Sequence, residues 1–307
     1  MFDAEHFIKT LMTDCPQMKL YQSQNNLWDK PSSAIAFEIS PRELKNGRLW
    51  HHTMQRPEDF RSAFDGWLKE KLIEHPLLRG PSPENPVRVE VIFPLLHWRT
   101  TSDSIGLRHN FGRMLRFPLA IRELSAKVLW EMSQQKGVRL QLEGITPRAF
   151  MGAHLRTEKD AGDAGMSSYD QQSRFLLDRA VEQNYSLVYV ASGNPADTSR
   201  LRQDGWASRD LTVMTKFDLL PREDIRVLEQ LRWDQQALVD FGVMMRSSFF
   251  AGTDESSFSF QIAVSRHEVS ERTNHLISEH GITFEDEFTW LSGHMGDRGY
   301  FVVGLWP

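Results

Sequence analysis

The sequence predicts an α/β protein whose second half is a parallel sheet with crossover helices. Three observations carry that reading. From residue 150 onward four short apolar runs recur, each followed by a helical stretch, and the turns between them are rich in Gly, Ser, Asn and Pro. Strand and helix alternating at this spacing call for parallel strands, because an antiparallel neighbour needs only a short hairpin. The 307 residues suffice for two domains of ordinary size. A net charge of −5 and a pI near 6.1 lack the cationic excess of a nucleic-acid binder, so no such partner is expected.

The first half, residues 1–147, is the less regular domain. Phe7, Ile8 and Leu11 mark a short apolar-periodic piece, followed by a polar Gln/Asn stretch up to residue 34. Pro57 to His75 reads as an amphipathic helix, since Phe60, Phe64, Leu68 and Leu72 recur every four residues on one stripe. Gly80-Pro81-Ser82-Pro83 breaks the chain, and Val87 to Phe93 alternates as a strand does. Pro118 then opens a long helix through Glu131, and a polar stretch with Gly137, Gly144 and Pro147 suggests the domain boundary.

The second domain, 148–307, begins with the strand Phe150 to Leu155. Ser168 and Gln171 form a capping box, and the helix it opens runs to about Gln183, carrying Leu176, Leu177, Ala180 and Val181 inward. Ser186 to Ala191 is the next strand and Ser192-Gly193-Asn194-Pro195 its turn. A helix around Thr198 to Gln203 leads to a third strand, Leu211 to Thr215. Helices over Glu223 to Leu231 and Gln235 to Arg246 precede a fourth strand, Phe249 to Ala251, and a helix from about Ser256.

In such sheets ligands bind outside the carboxyl ends of the strands. Three polar clusters fall there: His154 to Asp160, Ser192 to Asn194, and Gly252 to Ser259. Free amides and hydroxyls at a helix start attract anions, and an arginine on a neighbouring strand grips one with two nitrogens. Arg156 and the turn at Ser256 therefore describe a pocket for a phosphate or diphosphate. Each has a plainer reading: Ser256 as a simple N-cap, Arg156 as the partner of Glu158 or Asp160. His154 reads as a core histidine. Asp240 stands among Leu238, Val239, Val243 and Met244, where a carboxylate needs a partner; it is either a helix-to-loop strut or a ligand-facing acceptor.

The segments AHLRTEKD and DFGVMMRSSFFAGTDESSFSFQIAVSR together resemble the GDP-fucose protein O-fucosyltransferase-like superfamily. Its pattern is H-x-R-x-E-x-D after a strand, then an Asp, an S-[ST]-F-S turn and an Arg. Here Ser256 lies 16 residues after Asp240, and Arg266 follows. The resemblance covers about residues 148–270, with a fainter echo at His109-Asn110-Phe111-Gly112. It implies a GT-B-like architecture of two Rossmann-like halves, the N-terminal one incomplete. It also implies transfer of fucose, or a related sugar, from a GDP-sugar to a hydroxyl on a protein or glycan, without a metal or other cofactor. Arg156 would be catalytic and contact the diphosphate. His154, Ser256, Ser257 and Phe258 would help bind the donor, and Asp240 would accept from guanine. The alternative is a non-catalytic relative that binds a nucleotide-sugar or a protein partner.

The family's glycine-rich turn near the chain start has no counterpart, since Gly47 is the one glycine in residues 1–50. His97-Trp98-Arg99 is a further candidate contact. Neither G-x-G-x-x-G nor G-x-x-x-x-G-K-[ST] occurs. No stretch approaches the roughly 18 apolar residues of a membrane helix. The single cysteine, Cys15, and the acids Asp3 and Glu5 where a secretory signal is basic suggest a cytoplasmic protein, while the family resemblance also admits the secretory pathway.

Overall fold

The computed structural model describes residues 2–14, 16, 36–39, 57–75, 82, 87–91, 114–141, 144–269 and 288–292. Cys15, Gly47, the stretch 97–99 and the echo at 109–112 lie outside them. The chain divides into two compact units. One is Ala4–Met114 with Tyr300–Leu305; the other is Leu115–Gly299 with Met1–Asp3 and Trp306–Pro307.

The N-terminal unit contains α1 (Ala4–Asp14), β1 (Ala36–Ile39), α2 (Pro57–Glu74) and β2 (Arg88–Val91). The two strands pair in parallel, Phe37 opposite Val89. Parallel neighbours need a long crossover, and α2 lies between them in sequence. Three residues of its expected stripe pack inward: Phe64, Leu68 and Leu72 cover a core of Phe37, Ile39 and Trp67, while the Phe60 side chain lies outside the described residues. The strand β1 had no periodic signal and was not expected.

The second unit opens with α3 (Leu119–Lys136), entered at Pro118 and closed by Gly137 in the left-handed region at φ 67. The suggested boundary at residue 147 lies well inside this unit. The physical reason is that α3 packs on a helix of the C-terminal sheet: the Ser125 hydroxyl donates to the Val239 carbonyl at 3.0 Å. There follow β3 (Met151–His154), α4 (Lys159–Asp163), α5 (Tyr169–Glu182), β4 (Leu187–Ala191), α6 (Pro195–Arg209), β5 (Thr212–Met214), α7 (Lys216–Leu219), α8 (Arg222–Gln230), α9 (Trp233–Met244), β6 (Phe249–Thr253), α10 (Ser257–Val269) and β7 (Thr289–Ser292).

All five strands of this sheet are parallel, in the order β5-β4-β3-β6-β7. The chain winds outward from β3 to β5, then returns to lay β6 on the other side of β3. That reversal makes a topological switch point between β3 and β6, the place where open α/β sheets bind ligands. One sheet face (Met151, Ala153, Val188, Val190, Phe249, Ala251) forms a core with Leu176, Leu177 and Ala180 of α5 and Leu201 of α6. Val181, expected to point inward with them, is instead half exposed, because it falls one position beyond the stripe. The opposite face meets α9 and α10. No helix among the described residues is long and apolar enough to cross a membrane.

Candidate active site

The switch point brings two of the three expected clusters side by side. The backbone leaving β3 is clamped by one amide. Arg156 donates its N–H to Gln172 Oε1 at 2.9 Å, and Gln172 Nε2 donates to the Arg156 carbonyl at 2.8 Å and to the Ser167 carbonyl at 2.6 Å. Buried at 3 % exposure, Gln172 fixes where the Arg156 side chain begins. The guanidinium then divides its nitrogens. Nη1 donates to Glu158 and Nη2 to Asp160, the latter at 2.6 Å. Glu158 also accepts from the Gly193 N–H at 2.5 Å, which joins the Ser192–Asn194 cluster to the first. A Cβ at 193 would stand 2.4 Å from that carboxylate oxygen, so any side chain there would make Glu158 swing away from the Gly193 N–H.

Across the switch point β6 runs through Thr253 into the cap of α10. The first helical bond of α10 is from Phe260 N–H to the Ser256 carbonyl, at 2.9 Å. The amides of Ser257, Phe258 and Ser259 therefore have no intrahelical acceptor and form the positive end of the helix. Ser256 is buried, Phe258 half-buried and Ser257 exposed. Two bridges tie this cap to the β3 side. His154 Nδ1 bonds the Ser259 hydroxyl at 2.7 Å, with the imidazole 4.8 Å from the Phe258 ring. Glu255 accepts from the Ser167 N–H at 2.9 Å and from the Thr253 hydroxyl at 3.3 Å.

Electrostatics follow from these contacts. Burial pushes the His154 pKa down to about 4, while Glu158 opposes the shift and Arg156 adds to it. The ring is neutral at physiological pH. Hydrogen bonding from Arg156 holds the Asp160 carboxyl below its ordinary range. Burial works against the Arg156 charge, but its bonds to Asp160 and Glu158 outweigh that and hold it cationic. Among the described residues no group of three His, Cys, Asp or Glu is gathered as metal ligands would be.

Asp240 takes the first of its two readings. Its carboxylate accepts from the Tyr189 hydroxyl at 2.6 Å and from Lys216 Nζ, so it is a strut from α9 to β4 and to the start of α7. Both oxygens are occupied inside the fold. Arg266 is a second strut. Wholly buried, it donates from Nη1 to the carbonyls of Met244 and Ser247, both at 2.8 Å, and from Nη2 to that of Phe288 at 2.9 Å. It thereby caps the end of α9 and holds the chain entering β7.

The family model for GDP-fucose protein O-fucosyltransferases matches residues 1–269. The chain belongs to that family. The match begins well before the region that carries the motif resemblance, so the irregular N-terminal half lies within the O-fucosyltransferase family pattern too. No curated protein is similar enough to count as a match. Among solved structures the chain is similar to POFUT1 in complex with GDP, at 13% identity and TM-score 0.44 over 89% of this chain and 80% of that one. It is also similar to POFUT1 in complex with GDP-fucose, at 14% identity and TM-score 0.45 over 89% of this chain and 81% of that one.

Sequence reasoning missed Gln172 altogether, and it gave Glu255 and Gly193 no role beyond membership of their polar clusters. One signal for Gln172 was present. It shares a four-residue stripe with Leu176 and Ala180, and a polar residue on a buried stripe demands partners. Glu255 and Gly193 carried no comparable mark, because their partners lie 88 and 35 residues away.

Proposed function

We propose that this protein transfers fucose, or a closely related sugar, from its GDP form to a hydroxyl acceptor, and that it does so without a metal. The observation that supports this reading most is the pairing of β3, which leads to Arg156, with β6, which leads to the α10 cap, the two elements being joined by the His154–Ser259 bond. The acceptor oxygen attacks the anomeric carbon, and its proton is taken up by solvent. The bond from that carbon to the diphosphate oxygen breaks, and GDP departs with the electron pair. Negative charge grows on the departing diphosphate, so fixed donors aimed there stabilise the transition state more than the ground state.

Arg156 supplies the charged donor and the catalytic assistance. The amides at Ser257 and Phe258, with the Ser256 turn, hold the diphosphate, and Phe258 offers an apolar ring beside it. His154, neutral and tied to Ser259, fixes the cap against β3. Asp240 is assigned to the strut and not to the base. The test is incubation of the purified chain with GDP-fucose and with GDP-mannose, following GDP release with and without excess EDTA. Release from GDP-fucose that persists in EDTA is expected. Release abolished by EDTA and restored by a divalent ion would contradict the metal-free reading. GDP binding with no turnover would instead leave the chain a non-catalytic relative.

A further inference from the structure

The two carboxylates on Arg156 are unlike each other. Glu158 has a side chain 16% exposed and a second anchor in the Gly193 N–H. Asp160 has a side chain 73% exposed, sits on the short helix α4, and reaches Arg156 Nη2 as an i,i+4 pair. One nitrogen of the fork is thus held by a built-in, sheltered partner. The other is held by a carboxylate that stands in water.

We propose that Asp160 is a stand-in for the ligand: its carboxylate occupies Nη2 in the empty site and is displaced by a diphosphate oxygen, while Glu158 stays and aims the guanidinium. This rests on the reading of Arg156 as the diphosphate contact. The exchange needs no covalent step. A carboxylate oxygen leaves the nitrogen, a phosphate oxygen takes its place, and Asp160 turns to solvent. An exposed ion pair contributes little, so the displacement is inexpensive, and a phosphate oxygen returns a charge-assisted bond of the same kind. Asp160 also reclaims the nitrogen when GDP leaves, so it weakens product binding.

Calorimetric titration of GDP into four proteins tests this. Asp160→Asn is expected to bind GDP about threefold more tightly than wild type, the scale of one exposed pair. Glu158→Gln, which loosens the aim of the fork, is expected to bind about tenfold more weakly. Asp163→Asn removes the same charge from the same helix, but Asp163 pairs with Lys159 and not with Arg156; it should leave the affinity unchanged. General damage to the site cannot tighten binding, so the opposite signs mark the specific role. Asp160→Asn that binds no tighter than wild type, or Asp163→Asn that tightens it equally, would overturn the proposal while leaving the donor reading intact. Failure of wild type to bind GDP would sink both.

Discussion

Asp240 is only 4 % exposed, and two donors make that tolerable: the Tyr189 hydroxyl and Lys216 Nζ. Removing one partner of a buried ion pair strands the other charge. Lys216→Met is therefore expected to cost about 3–5 kcal/mol, measured by urea unfolding. Adding Asp240→Asn, which still accepts from Tyr189, should recover most of the loss, and the double variant should bind GDP as wild type does. A double variant that folds but no longer binds GDP would return Asp240 to the nucleotide. His154 makes a different prediction. Burial brings its pKa in the folded chain down to about 4, below the ordinary histidine value of 6.5. Between those values the unfolded chain takes up a proton that the folded chain refuses, so stability rises with pH across that window. It is lost as pH falls from 6.5 toward 4, about 1.4 kcal/mol per unit and about 3 kcal/mol in all. Unfolding free energies measured across the window should show this slope, and His154→Gln should reduce it by one proton. The same slope in the variant would mean that another group carries it.

At the scale of elements, the cap works because α10 lies hard against β6. A Cβ at Gly252 would stand 2.5 Å from the Ser259 hydroxyl and 2.9 Å from its Cβ. Ser259 has no length with which to move aside, and it also holds His154. Gly252→Ala should push α10 outward, costing about 1–3 kcal/mol and weakening GDP binding, by denaturation and titration respectively. Unchanged stability would show that the helix has room. Elements of this half were legible where their signals were local. The Ser168–Gln171 capping box forms as read, with the Ser168 N–H donating to Gln171 Oε1 at 2.9 Å, and Asn194 accepts from the Ala196 and Asp197 amides to start α6. β1, β7 and α7 are four residues each and were not legible. Runs that short are legible only where the flanking residues extend the pattern, as they do around β2, β3 and β5.

At the scale of the molecule, each unit contains parallel strands with a helix between them in sequence, as a Rossmann-like half requires. The alternation of strands and helices revealed the parallel sheet, but not its order. That β6 returns beside β3, and so carries the Ser256 turn and Arg156 on neighbouring strands, is a long-range pairing that no spacing encodes. The motif resemblance supplied what spacing could not, and its first element proved to be a guanidinium held by the very carboxylates that accompany it. Arg156 was read as either a ligand contact or a partner of Glu158 and Asp160. The contacts establish the pairing, and the ligand role is the claim on which the proposed function depends. Calorimetric titration of GDP into wild type and Arg156→Ala tests it most directly. Saturable binding by wild type, weakened more than about tenfold in the variant (about 1.4 kcal/mol), is the predicted result; equal affinity in the two proteins would contradict it.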